Sequence, residues 1–195
     1  MLMRRLKDLL FPPRCALCDA VIAPRERPLC PACGQACPDV SILGEVCRTC
    51  GREKLCCTCK EDSFLSDGMA APFYYEGVAR RGVSFYKRVQ DVDRTAFFVK
   101  EMANSICRSL GDRIVDVITA VPMRPAEKRE RGFDQVEPLA KGIAKEFHIP
   151  YVPLLRKCLD TPSQKLLTME QRRSNLLGAF DVTNGESVRN KRILL

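Results

Sequence analysis

The chain has 195 residues, 46% of them hydrophobic, which is enough for one ordinary domain with a smaller companion and excludes an intrinsically disordered protein. Its formal charge of +8 is spread as ten Lys/Arg against eight Asp/Glu up to residue 66 and 22 against 16 beyond it. If eight cysteines held two zinc ions as thiolates the total would fall to about +4, so charge alone implies a solvated surface rather than nucleic-acid binding.

In chain order, the opening "MLMRRLKDLLFPP" predicts a short helix with Leu2, Leu6, Leu9 and Leu10 on one face, ended by Pro12 and Pro13. It lacks the uninterrupted apolar stretch of a secretory signal, and no run of about 18 apolar residues follows. The expectation is a cytoplasmic protein without membrane insertion.

Ten of the twelve cysteines fall between Cys15 and Cys59, eight of them in four CxxC pairs: Cys15/Cys18, Cys30/Cys33, Cys47/Cys50 and Cys56/Cys59. A CxxC turn brings two thiolates within reach of one ion, and two such turns complete a tetrahedral shell. Taken in order, "CALCDAVIAPRERPLCPAC" makes one site and "CRTCGREKLCCTC" the other, although the first turn meeting the third remains an open pairing. All-cysteine ligation leaves no position for water, so the expected role is structural zinc, two ions in all. The competing disulfide framework needs an oxidising compartment. Cys37 and Cys57 are spare potential ligands, and Cys107 and Cys158 read as small buried apolar residues.

After "KEDSFLSDG", a polar connector, the pattern changes to alternating strands and helices. "MAAPFYY" predicts a strand, and "DVDRTAFFVKEMANSICRSL" a helix with Phe98, Met102, Ile106 and Leu110 inward. "RIVDVITAVP" predicts a strand buried on both faces. "DQVEPLAKGIAKEF" predicts a helix with Val136, Leu139, Ile143 and Phe147 inward, Lys141, Lys145 and Glu146 outward, and Asp134 as a cap. The fold class is α/β, with a four-CxxC segment over residues 1–66 and a parallel-sheet domain over 67–195.

In open parallel sheets ligands gather at the carboxyl ends of strands, which points to the loop "PMRPAEKRERGF". Its Arg124, Lys128, Arg129 and Arg131, set against Glu127 and Glu130 and followed by Gly132, suit phosphate, while solvated surface loops share the same composition. The later stretch "RKCLDTPSQKLLTMEQRRSNLLGAF" reads either as an exposed helix and turn or as a flap over a charged substrate. His148 is expected to end a helix rather than to transfer protons.

Four CxxC pairs, "FYYEGVARRGVSFYK", "VPMRPAEKRERGFDQVEPLAKGIAK" and "TPSQKLLTMEQRRSNLLGAF", in this order, resemble the ComF family of competence-associated proteins over nearly the whole chain. The resemblance implies a zinc-ribbon segment joined to a type I phosphoribosyltransferase-like domain that takes phosphoribosyl pyrophosphate with magnesium. It implies catalytic roles for Arg131, Lys165 and Arg172, and substrate contacts from Gly132, Asp134, Gln135 and Asn175, with Asp134 standing where the family often has Asn. It also implies a link to DNA uptake, with DNA-uptake proteins and single-stranded DNA as partners. The alternative is a noncatalytic nucleic-acid-binding zinc-ribbon module of the same machinery. In that family a strand beginning like "KRILL" continues into two acidic residues and a TTGxT-type loop that cradles the ribose phosphate. The sequence stops at Leu195, before them, so a C-terminally truncated chain with impaired catalysis is expected.

Overall fold

A computed structural model describes residues 11–26, 28–47, 51–59, 66–89, 91–111, 115–159, 161 and 167–195, with the backbone alone at residues 26, 169, 170 and 173. The helix expected over Leu2–Leu10 lies outside them. The chain divides into two compact units, Met1–Arg113 and Ile114–Leu195. This division falls later than the 66/67 boundary read from composition, because two helices beyond the cysteine segment pack with it.

Among the described residues the first unit opens with a tight hairpin. Cys15 N–H donates to Ala20 O (2.8 Å), Asp19 N–H donates to Cys15 O (3.0 Å), and Arg14 bridges Val21. The same wiring returns at Cys47, whose N–H donates to Arg52 O (2.7 Å) while Gly51 N–H donates to Cys47 O (2.9 Å) and Val46 bridges Glu53. Each turn places one residue in the left-handed region, Asp19 at φ 66° and Gly51 at φ 73°, a conformation that glycine adopts freely and Asp tolerates better than most.

Between the hairpins lies a short helix, α1 (Pro31–Ala36), with Pro31 in its first turn, where a missing N–H costs nothing. Helix α2 (Gly77–Tyr86) runs so close to the first hairpin that a Cβ on Gly82 would sit 2.6 Å from Leu17 Cδ2 and 3.1 Å from Leu17 Cα. Helix α3 (Val92–Leu110) starts at Asp91, whose side chain accepts from the N–H groups of Asp93 and Arg94, and stops at Gly111. Its buried residues are Arg94, Phe97, Phe98, Ala103 and Ser105, whereas Met102, Ile106 and Leu110 of the expected stripe are half-buried. The aromatic contacts Phe73–Phe97, Phe97–Phe98 and Tyr86–Phe98 set that rotation. The strand expected over "MAAPFYY" is reduced to one bridge, Ser41 with Phe73. Pro72 accepts from Ile42 N–H but has no N–H to return.

The second unit is built on β1 (Val117–Ile118), which pairs in parallel with β4 (Ile193–Leu194), Val117 opposite Ile193 and Ile118 opposite Leu194. On its other side Ile118 N–H donates to Pro150 O and Val152 N–H to Ile118 O, a parallel bridge to Tyr151. The strand is therefore central and fully buried, as its β-branched run implies. Residues 125–131, read as part of a loop, form helix α4 (Pro125–Arg131). Proline in its first turn, Glu127 early and Lys128, Arg129 and Arg131 late all favour a helix. Helix α5 (Glu137–Phe147) buries Ala140, Ile143 and Ala144, exposes Lys141, Lys145 and Glu146, and ends with His148 in the left-handed region at φ 55°. An antiparallel pair, β2 (Leu155–Lys157) with β3 (Phe180–Val182), and helix α6 (Met169–Leu176) complete the unit. Leu154 and Ala179 are buried at its core with Val117 and Ile118. Among the described residues no helix is long and apolar enough to cross a membrane.

Candidate functional site

The Sγ atoms of Cys15, Cys18, Cys30 and Cys33 all lie within 4.8 Å of one another, so the first CxxC turn meets the second and not the third. The first hairpin supplies Cys15 and Cys18. The other two come not from a second hairpin, as a ribbon would have it, but from the start of α1, where Cys33 N–H donates to Cys30 Sγ at 3.4 Å. The Cys18 and Cys30 sulfurs are 3.7 Å apart. A disulfide would hold them at about 2.05 Å, whereas the edge of a tetrahedron with Zn–S bonds of about 2.3 Å measures about 3.8 Å. None of the described cysteines is in a disulfide, and the donor set fits a thiophilic ion such as zinc.

Burial sharpens the demand for a cation. It pushes the Cys33 thiol up, helped by the crowding of Cys18, Cys30 and Cys15. At Cys15 burial also raises the thiol, but hydrogen bonds involving the Cys30, Cys18 and Leu17 backbones and the Cys18 side chain overcome it and bring Cys15 down to about 7. One thiolate is thus readily formed, and a bound cation would offset the charge of the set. A fixed cation supports the same turn. Arg94 of α3, 2% exposed, donates to Ala16 O (3.1 Å), Cys15 O (3.4 Å) and the Asp19 carboxylate (2.6 Å). Nothing in the cysteine spacing announces Arg94; its one sequence signal is a charge on the apolar face of a helix.

A second cysteine group consists of Cys47, Cys57 and Cys59, again with sulfurs within 4.8 Å of one another. Cys56, expected as a ligand, is exposed and outside the group; the expected ligand Cys50 lies outside the described residues. The doublet in "LCCTC" offers both Cys56-x-x-Cys59 and Cys57-x-Cys59, and spacing cannot choose between them. Cys107 and Cys158, expected to be buried, are both exposed.

In the second unit the chain leaves β1 through the buried Thr119, whose Oγ1 accepts from Leu154 N–H (3.2 Å), and reaches α4. Gly132 closes α4 at φ 77°. The turn gathers Arg131, Gly132, Asp134 and Gln135: Arg131 Nη1 donates to Gln135 Oε1 (2.6 Å), and Asp134 Oδ1 accepts from the N–H groups of Val136 (2.9 Å) and Glu137 (3.1 Å). Lys128 Nζ stands 3.7 Å from Asp134. Arg124 pairs with Glu127 (2.9 Å) and donates to Thr161 O (3.1 Å). The hydrogen bond from Arg124 to Glu127 holds the Glu127 carboxyl below its ordinary range. Arg172 and Asn175 lie on α6, a separate element whose capping box joins Thr168 and Gln171; Arg172 Nε donates to Leu167 O (3.1 Å). Lys165 lies outside the described residues.

Compared with models of protein families, with curated proteins and with solved structures, the chain matches none.

Proposed function

We propose that the protein is a ComF-type phosphoribosyltransferase-like protein linked to DNA uptake, in which a metal-organised cysteine segment accompanies a unit that binds phosphoribosyl pyrophosphate. The observation that carries this reading is the turn of Arg131, Gly132, Asp134 and Gln135 on the carboxyl side of β1, a strand with parallel neighbours on both sides. A planar guanidinium on such a turn can hold two phosphate oxygens, exchanging its bond to Gln135 for the ligand. Gly132, with nothing within 4 Å of a Cβ built on it, leaves the backbone open to close approach. Magnesium would arrive with the pyrophosphate group and share its charge. The chain's own cations, Arg131 foremost, would stabilise charge building on the departing pyrophosphate. Lys165, Arg172 and Asn175 would act as the covering segment, in the cytoplasm, with DNA-uptake proteins as partners. Isothermal titration with phosphoribosyl pyrophosphate and magnesium tests the reading: binding is expected for the wild type and at least tenfold weaker for Arg131→Ala. Equal binding by the two removes the assignment.

A second reading, nucleic-acid binding, is favoured by the exposed face of α2. There Arg80, Arg81, Ser84 and Phe85, joined by Arg88 just past the helix, line an open depression of about 380 Å³, with the Arg88 guanidinium 4.7 Å from the Phe85 ring centre. It predicts single-strand binding that weakens steeply with salt and loses slope when Arg80, Arg81 and Arg88 become Ala.

A further inference from the structure

We infer that the second metal centre takes Cys57, not Cys56, as a ligand, so that a Cys57-x-Cys59 pair faces Cys47 and Cys56 is left outside as a reactive surface thiol. Three observations from the first unit carry this, independently of what the second unit binds.

Cys47 occupies a hairpin wired like that of Cys15, hydrogen bond for hydrogen bond and bridge for bridge. In the first hairpin that wiring presents Cys15 to three other sulfurs; in the second it presents Cys47 to Cys57 and Cys59. Residues Lys54–Cys56 form a 3-10 turn that points outward, with Leu55 94% exposed and Cys56 exposed beside it. The backbone becomes extended at Cys57, which reverses the side-chain direction and leaves Cys57 more buried than either Cys56 or Cys59. Finally, Cys59 N–H donates to Cys57 Sγ (3.3 Å), as Cys33 N–H donates to Cys30 Sγ in the four-cysteine group; an N–H aimed at sulfur stabilises the thiolate that a metal needs.

The ligand is a thiophilic cation of the zinc class, because among the described residues the group consists of three sulfurs without a carboxylate or imidazole. With Cys59 exposed, this centre is more open than the first, in which Cys15 and Cys33 are buried. Its ion should exchange faster with solvent.

The test uses the full chain loaded with zinc under reducing conditions. A brief iodoacetamide pulse followed by fragment mass spectrometry is expected to alkylate Cys56 and spare Cys57; alkylation of Cys57 with protection of Cys56 overturns the inference. Release of zinc to a chromogenic chelator gives a second reading. Cys57→Ser is expected to release one of two ions faster by a factor of about 100 or more, and Cys56→Ser to release both as the wild type does. Accelerated release from Cys56→Ser, unchanged release from Cys57→Ser, or a single ion in the wild type each overturns it. Loss of both ions from Cys57→Ser would report unfolding of that variant, and the alkylation pattern of the wild type then decides.

Discussion

Arg94 and Asp19, 75 residues apart in sequence, form a 2.6 Å ion pair in which the arginine is buried and the acid is part-exposed. The pair ties the middle of the chain to the turn carrying Cys15 and Cys18. Truncating Arg94 to Ala removes the side-chain donor on Ala16 O and one of two donors on both Cys15 O, which keeps Asp19 N–H, and the Asp19 carboxylate, which keeps Arg14. The cost should be about 3 kcal/mol, at the low end for breaking a buried pair because Asp19 can regain water. Urea unfolding of the zinc-loaded chain measures it. Arg94→Lys should restore little, since a lysine cannot reach the two carbonyls and the carboxylate with one planar fork.

Gly82 and Gly34 make a contrasting pair. Gly82→Ala would put a Cβ 2.6 Å from Leu17 Cδ2, 3.1 Å from Leu17 Cα and 3.3 Å from Ala16 O, and of these only the first can rotate away. The expected loss is about 1–3 kcal/mol. Gly34→Ala in α1 meets nothing within 4 Å and should stabilise by about 0.5–1 kcal/mol. Thermal melts of the two variants should shift in opposite directions.

Glu53 should give the cysteine segment a measurable acid sensitivity. Its carboxylate accepts from Gly44 N–H (2.8 Å) and Leu43 N–H (2.6 Å), and these bonds hold its pKa below the ordinary 4.5. A depressed carboxylate contributes fully above its unfolded value and loses the contribution as pH falls through the folded one. Amide protection of Leu43 and Gly44 should therefore drop below pH 4.5 in the wild type. In Glu53→Gln it should be lower at neutral pH and lack that acid step.

Removing metal should loosen the cysteine segment by itself. Chelation leaves clustered thiols with Cys33 held protonated by burial, and the hairpins lose the tie between their sulfurs. Limited proteolysis should then cut between residues 15 and 59, and added zinc should restore resistance. Resistance unchanged by chelation would mean that hydrogen bonds and apolar packing suffice.

Sequence alone determined the thiol chemistry of the cysteine segment and the periodic helices. Cysteines repeated at CxxC spacing have few physical uses outside metal or disulfide, and the apolar period in Glu137–Phe147 puts Ile143 inside and Lys141 and Lys145 outside whatever the helix packs on. Helix α4 was legible too, from Pro125, the charge gradient and Gly132, but its charged composition looked like a loop. Tertiary structure decided what spacing leaves degenerate. Cys56 and Cys57 are neighbours of the same type, and only the outward 3-10 turn separates the exposed thiol from the one that meets Cys47. It decided, too, that α3 buries Arg94 and leaves Met102 only half-buried. A buried guanidinium is tolerable only where acceptors await it, and those acceptors come from a turn 75 residues away, beyond the reach of any local pattern.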